Sequence, residues 1–102
     1  MHPLIAAQAA AIEELCKRHG VARLDLFGSA ARCDFDVATS DVDFLVAFQS
    51  EAKARAFDNY FGLKEGLAKL LGRSVDLLTV DAVRNPYLAS EIEESRQVLY
   101  GA

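Results

Sequence analysis

Two aspartates one residue apart at the head of an apolar strand, Asp41-Val42-Asp43-Phe44-Leu45-Val46, constrain this chain more than any other feature. Side chains alternate across a strand, so Asp41 and Asp43 fall on one face while Val42, Phe44, Val46 and Phe48 fall on the other. Carboxylates roughly 7 Å apart at the Cα level repel each other unless a cation lies between them. A hard divalent ion such as Mg²⁺ takes one or two carboxylates and completes its shell with water and phosphate oxygens. Upstream, Leu26-Phe27-Gly28-Ser29 runs from a second apolar strand into a Gly-Ser turn, whose unencumbered backbone N–H groups and hydroxyl suit phosphate oxygens. A metal site beside a phosphate cradle suggests phosphoryl or nucleotidyl transfer.

The elements around these motifs follow from periodicity. Ile5, Ile12, Leu15 and Cys16 form a stripe at helical spacing, so a helix is expected from about Pro3 to His19, with Gly20 as its stop. Val21–Phe27 reads as the first strand, with Ala22, Leu24 and Leu26 on one face and Arg23 and Asp25 on the other. A long irregular connection, Gly28–Ser40, leads to the second strand, Asp41–Phe48, which is expected to pair antiparallel with the first. Ala52–Leu71 reads as a helix with Phe57, Tyr60, Phe61, Leu67, Leu70 and Leu71 as its apolar surface. Gly62 and Gly66 inside it suggest a face pressed against the sheet or a partner. A third strand, Ser74–Val80, follows that crossover helix and so should lie parallel to the second. Its Asp76 would then join Asp41 and Asp43 at one edge of the sheet. Asn85-Pro86 opens a further helix to about Glu94, and Val98–Tyr100 is a brief last strand.

Composition bounds the rest. A chain of 102 residues, 52% hydrophobic and 25% charged, is expected to form one domain, residues 1–102, with a core of its own. Cys16 and Cys33 have no metal-ligand spacing and form no secreted framework, which favours a reduced, cytoplasmic setting. No signal peptide and no apolar stretch near the roughly 20 residues of a membrane span is present. The net charge is −4, and the eleven basic residues make no stripe, which argues against a grip on long nucleic acid. No Gly-x4-Gly-Lys-Ser/Thr occurs, which excludes a Walker-type NTPase. An EF-hand beginning at Asp34 fails at Thr39 and Leu45. His2 and His19 read as surface residues, and Asp34 and Asp36 as loop solvation.

Gly28-Ser29, then Asp41-x-Asp43, then the lone Asp76 in a third apolar strand, in that order, resemble the minimal nucleotidyltransferases of the DNA polymerase β superfamily. In particular they resemble the MNT antitoxins of HEPN–MNT (type VII) toxin–antitoxin pairs, and the resemblance covers nearly the whole chain. It implies a small mixed α/β sheet with helices packed on it. Asp41, Asp43 and Asp76 would be catalytic and hold two Mg²⁺ ions, with Asp76 helping to take up the acceptor's proton. Gly28, Ser29 and Arg32 would hold the nucleotide phosphates. The implied reaction transfers AMP from ATP to a tyrosine hydroxyl of a partner HEPN toxin, from the neighbouring gene. One departure is the eleven residues between Ser29 and Asp41, one more than is usual; the other is Cys33, where glycine usually follows the arginine. Two alternatives stand beside this reading. One is an antitoxin that neutralises its toxin by binding alone, and the other a nucleotidyltransferase for a small molecule.

Overall fold

The computed structural model describes residues 2–32 and 41–101. Cys33, Asp34 and Asp36 lie outside them. The elements run α1 (Pro3–Ala6), α2 (Ala9–Arg18), β1 (Val21–Phe27), α3 (Ser29–Arg32), β2 (Val42–Phe48), α4 (Ala56–Leu71), β3 (Val75–Thr79), α5 (Pro86–Ser95) and β4 (Gln97–Tyr100). Short 3₁₀ turns, Ser50–Arg55 and Val80–Ala82, precede α4 and follow β3. Among the described residues the sheet has four strands in the order β3-β2-β1-β4. β1 is antiparallel to both β2 and β4, whereas β2 and β3 are parallel, as a crossover through α4 requires.

The expected single N-terminal helix is broken at Ala7-Gln8. Alanine does not break helices by itself, and the cause is an anchor outside the segment. The His2 N–H donates to the Ala30 carbonyl at 2.9 Å, and the His2 ring Nδ1 caps the Leu4 amide at 3.1 Å. The first turn is thereby tied to α3 and offset from α2.

One face of the sheet packs on α2 and α4. Val42, Phe44 and Val46 of β2, with Leu24 and Leu26 of β1, meet Ile12, Cys16, Leu63 and Leu67 there. On β1 the expected alternation fails at Ala22, which is exposed. A bulge between Val21 and Arg23 shifts the pairing, so that Val21 and Leu24 both reach the core. The second face is covered by α5, whose Ile92 packs with Phe27 and Leu45. That cover buries Asp25, expected on a polar face, to 1% exposure. Arg96 and Arg23 pair with it, the Arg96 Nε donating to Asp25 Oδ2 at 2.8 Å and the Arg23 Nε to Oδ1 at 3.0 Å.

On α4 the inward stripe is Leu63, Leu67 and Leu71, while Phe57 and Phe61 are exposed. Gly62 and Gly66 face α2 and not the sheet. A Cβ on Gly62 would stand 2.5 Å from the His19 ring, and one on Gly66 2.8 Å from Leu15. His19 is therefore a half-buried contact between α2 and α4, and burial, with the charge of Arg18, lowers its pKa.

Candidate active site

Asp43 is the second residue of β2, opposite Asp76 on β3 and opposite Phe27 on β1. Paired residues share a face, so both carboxylates lie at the strand starts on the α5 side of the sheet. The two carboxyls are in hydrogen-bonding contact. Burial foremost, then the charge of Asp76 and the hydrogen bond with it, then the charges of Asp41 and Glu91, push the Asp43 carboxyl up from 3.8 to about 6. A cation between the two carboxyls would reverse that field and favour both as carboxylates. The pair thus fits a hard divalent ion, with the remaining coordination left to water and substrate oxygens. Asp41 stands just ahead of β2, exposed, and acts on Asp43 through its charge. Among the described residues no three His, Cys, Asp or Glu side chains close on one point. The structure brings Asp43 and Asp76 together and leaves Asp41 beside them.

The end of β1 forms the other wall. Gly28 has φ +76°, a left-handed conformation that costs a residue with a Cβ about 1–2 kcal/mol. A Cβ there would also overlap Asp43 Oδ2, so the turn can approach the carboxylate only as glycine. The Gly28 carbonyl accepts the Ala31 and Arg32 amides, each at 3.1 Å, and so starts α3. Its own N–H is not a free donor, contrary to expectation, because it donates to the Ser95 hydroxyl at 3.0 Å. The remaining donors of the turn are the first-turn amides of Ser29 and Ala30, with the Ser29 hydroxyl. Arg32 ends α3, and its guanidinium lies 3.6 Å from Glu91 of α5, both side chains about half exposed. Along α4, a hollow of about 520 Å³ lined by Phe61, Lys64, Ala68 and Ser74 opens onto Asp76.

Sequence reasoning missed the part played by α5. Glu91 and Ser95 lie in a polar run, Glu91-Ile-Glu-Glu-Ser95-Arg96, that reads as an exposed helix end. The one available signal was Asp25, a charge inside Val-Ala-Arg-Leu-Asp-Leu-Phe, since a carboxylate there is costly unless paired.

Residues 9–99 match the nucleotidyltransferase domain family. The chain belongs to this family. Among relatives of this nucleotidyltransferase, two from Methanocaldococcus jannaschii carry the names "Putative protein adenylyltransferase MJ1379" and "MJ0128". The first is 37% identical over 91 residues, covering 81% of this chain and 89% of the relative. The second is 36% identical over 80 residues, covering 78% of each. A solved structure described as a "putative minimal nucleotidyltransferase" superposes with a TM-score of 0.72 at 32% identity, covering 91% of this chain and 90% of that one. The mixed sheet with its helices is thus the minimal nucleotidyltransferase fold. The same fold occurs in the solved complex of a tri-AMPylated Shewanella oneidensis HEPN toxin with its MNT antitoxin. There the TM-score is 0.61 at 19% identity, covering 95% of this chain and 72% of that one. A toxin–antitoxin structure with AMP-PNP gives 0.65 at 21%, covering 92% and 73%.

Proposed function

We propose that this nucleotidyltransferase moves AMP from ATP onto a hydroxyl of a partner protein, a tyrosine of a HEPN-type toxin, and so acts as its antitoxin. The observation that carries the reading is Asp43 opposite Asp76 in register, with the Gly28 turn closed against Asp43. The protein adenylyltransferase names among the relatives and the toxin–antitoxin complexes among the structural neighbours support the choice of acceptor.

Asp43 and Asp76 would hold Mg²⁺, with Asp41 adding its charge and available to a second ion. When bound, Mg²⁺ neutralises the phosphate charge and makes the acceptor hydroxyl more acidic. The Ser29 and Ala30 amides and the Ser29 hydroxyl hold the β- and γ-phosphates, and Arg32 pairs with phosphate in place of Glu91. This leaves the α-phosphorus facing the acceptor. The acceptor oxygen forms a bond to the α-phosphorus as the α–β bridge P–O bond breaks, and pyrophosphate departs with that electron pair. Asp76, exposed and open to the hollow along α4, takes the hydroxyl proton on its carboxylate.

One observation favours a second reading, neutralisation by binding alone. Phe57 is 73% and Phe61 48% exposed, and with Val80 and Tyr60 they border an apolar groove of about 690 Å³ at the far end of β2 and β3. Exposed apolar patches of this kind mark interaction surfaces.

Incubation with Mg²⁺, ATP and the HEPN protein of the neighbouring gene, followed by intact mass of the partner, separates the two. AMP-sized additions that vanish with Asp41→Asn/Asp43→Asn establish the transferase. A stable complex without any addition refutes transfer to that partner and leaves binding as the mode of action.

A further inference from the structure

The Gly28 turn is held from behind by a side chain that takes no part in the chemistry above. Ser95, the last residue of α5, is 7% exposed, and its hydroxyl is committed on both sides. It donates its single proton to the Glu91 carbonyl at 3.0 Å, one turn back along its own helix, and accepts the Gly28 N–H at 3.0 Å. With the proton spent on the helix, Oγ can face Gly28 only as an acceptor. The helix end that carries it is fixed in turn. Arg96, the next residue, pairs with Asp25 inside the sheet, and its N–H donates to the Ile92 carbonyl at 2.7 Å. Gly28 is buried and packed so closely on Asp43 that no side chain fits between them. A shift of the Gly28 amide therefore moves the wall against Asp43 and the first-turn donors of α3 together.

We propose that Ser95 is a positioning residue of the nucleotide site. Its hydroxyl fixes the Gly28 amide and so sets the distance between the phosphate-holding turn and the Asp43–Asp76 pair. This inference rests on the reading of Gly28-Ser29 as the phosphate turn. It makes α5, 67 residues away from Gly28 at the point of contact, part of the nucleotide site without touching nucleotide.

The test is calorimetric titration of the full chain with Mg²⁺ and a non-hydrolysable ATP analogue, a readout that needs no acceptor protein. Ser95→Ala removes the acceptor and leaves the Gly28 N–H buried without a partner, whereas Ser95→Thr keeps the oxygen. Ser90→Ala, exposed on the same helix, controls for helix composition. We expect about a tenfold or greater loss of affinity in Ser95→Ala, recovery to within about threefold in Ser95→Thr, and no change in Ser90→Ala. Hydrogen exchange at the Gly28 amide is expected to quicken in Ser95→Ala and to stay slow in Ser95→Thr, which reads the contact even in a variant of lowered stability. Wild-type affinity in a folded Ser95→Ala overturns the inference alone, as does equal loss in the alanine and threonine variants. If the wild-type protein itself binds no Mg²⁺–nucleotide, the functional reading beneath falls first, and that result appears in a different arm of the experiment.

Discussion

Asp43→Asn should make the metal-free protein more stable while abolishing transfer. In the folded protein Asp43 titrates at about 6, pushed up chiefly by burial and then by Asp76, against 3.8 for an ordinary aspartate. Between those values the folded chain holds a proton that the unfolded chain has released, so stability falls as pH rises through the window. It is fully present below about pH 4, and the loss is complete above about pH 7. The difference corresponds to a ceiling of about 3 kcal/mol. Asp43 is only half-buried and water reaches its partner Asp76, so about 1–2 kcal/mol is the expected net effect. Asparagine fills the same space, carries no charge, and offers an N–H₂ to the Asp76 carboxylate.

The assay is chemical denaturation of both proteins in EDTA at pH 4 and pH 7.5. The two should agree closely at pH 4. At pH 7.5 the variant should exceed the wild type by about 1–2 kcal/mol, roughly 5–10 °C in Tm for a domain of this size. Comparing the two proteins at each pH cancels the other acidic groups. Adding Mg²⁺ should stabilise the wild type and close the gap. A variant less stable than wild type at pH 7.5, or a gap as large at pH 4, would refute the account of Asp43 as a carboxyl whose pKa is raised by burial and an adjacent carboxylate.

Three further outcomes are expected. Gly28→Ala should lower stability by about 2–3 kcal/mol, since the left-handed backbone and the overlap with Asp43 both act against it, and should abolish Mg²⁺–nucleotide binding in the same calorimetric titration. Arg96→Met leaves Asp25 paired with Arg23 alone among the described ion pairs, at the edge of a 1% exposed site, and should cost about 2–4 kcal/mol in urea denaturation. Gly62→Ala should destabilise by about 1 kcal/mol despite the better helix propensity of alanine, because its Cβ meets the His19 ring. Combined with His19→Ala it should become stabilising, a coupling that a double-mutant cycle measures.

Much of the fold was legible because local signals and tertiary need coincide. Val21–Phe27 emerged with its expected bounds, and Asn85-Pro86 does start α5, the Asn85 side chain capping the Tyr87 amide at 2.9 Å. Where two elements compete for one role, the sequence is mute. Helix α4 carries two apolar stripes, Phe57 with Phe61 and Leu63 with Leu67, and helical spacing alone does not say which one turns inward. The break at Ala7-Gln8 and the burial of Asp25 depend on contacts far along the chain, to Ala30 and to Arg96. The site divides in the same way. Asp43, Asp76 and Gly28 advertise themselves by chemistry at fixed spacing. Ser95 does not, because a serine at a polar helix end looks the same whether it faces water or a buried amide.

The strand register and the carboxylate pair are one specification. On β2 the residues flanking Asp43 are Val42 and Phe44, both fully buried under α2 and α4. On β3 the residues flanking Asp76 are Val75 and Leu77, buried on the same side. Slipping β3 by one residue would set Asp76 against Val42 or Phe44 and turn it into the apolar core, while Val75 and Leu77 turned out toward α5. Burying an unpaired carboxylate and exposing two apolar side chains each oppose that slip by several kcal/mol. The hydrophobic pattern that fixes the parallel pairing therefore also sets Asp43 opposite Asp76. The repulsion between them is sustained by the core on the far face of the sheet.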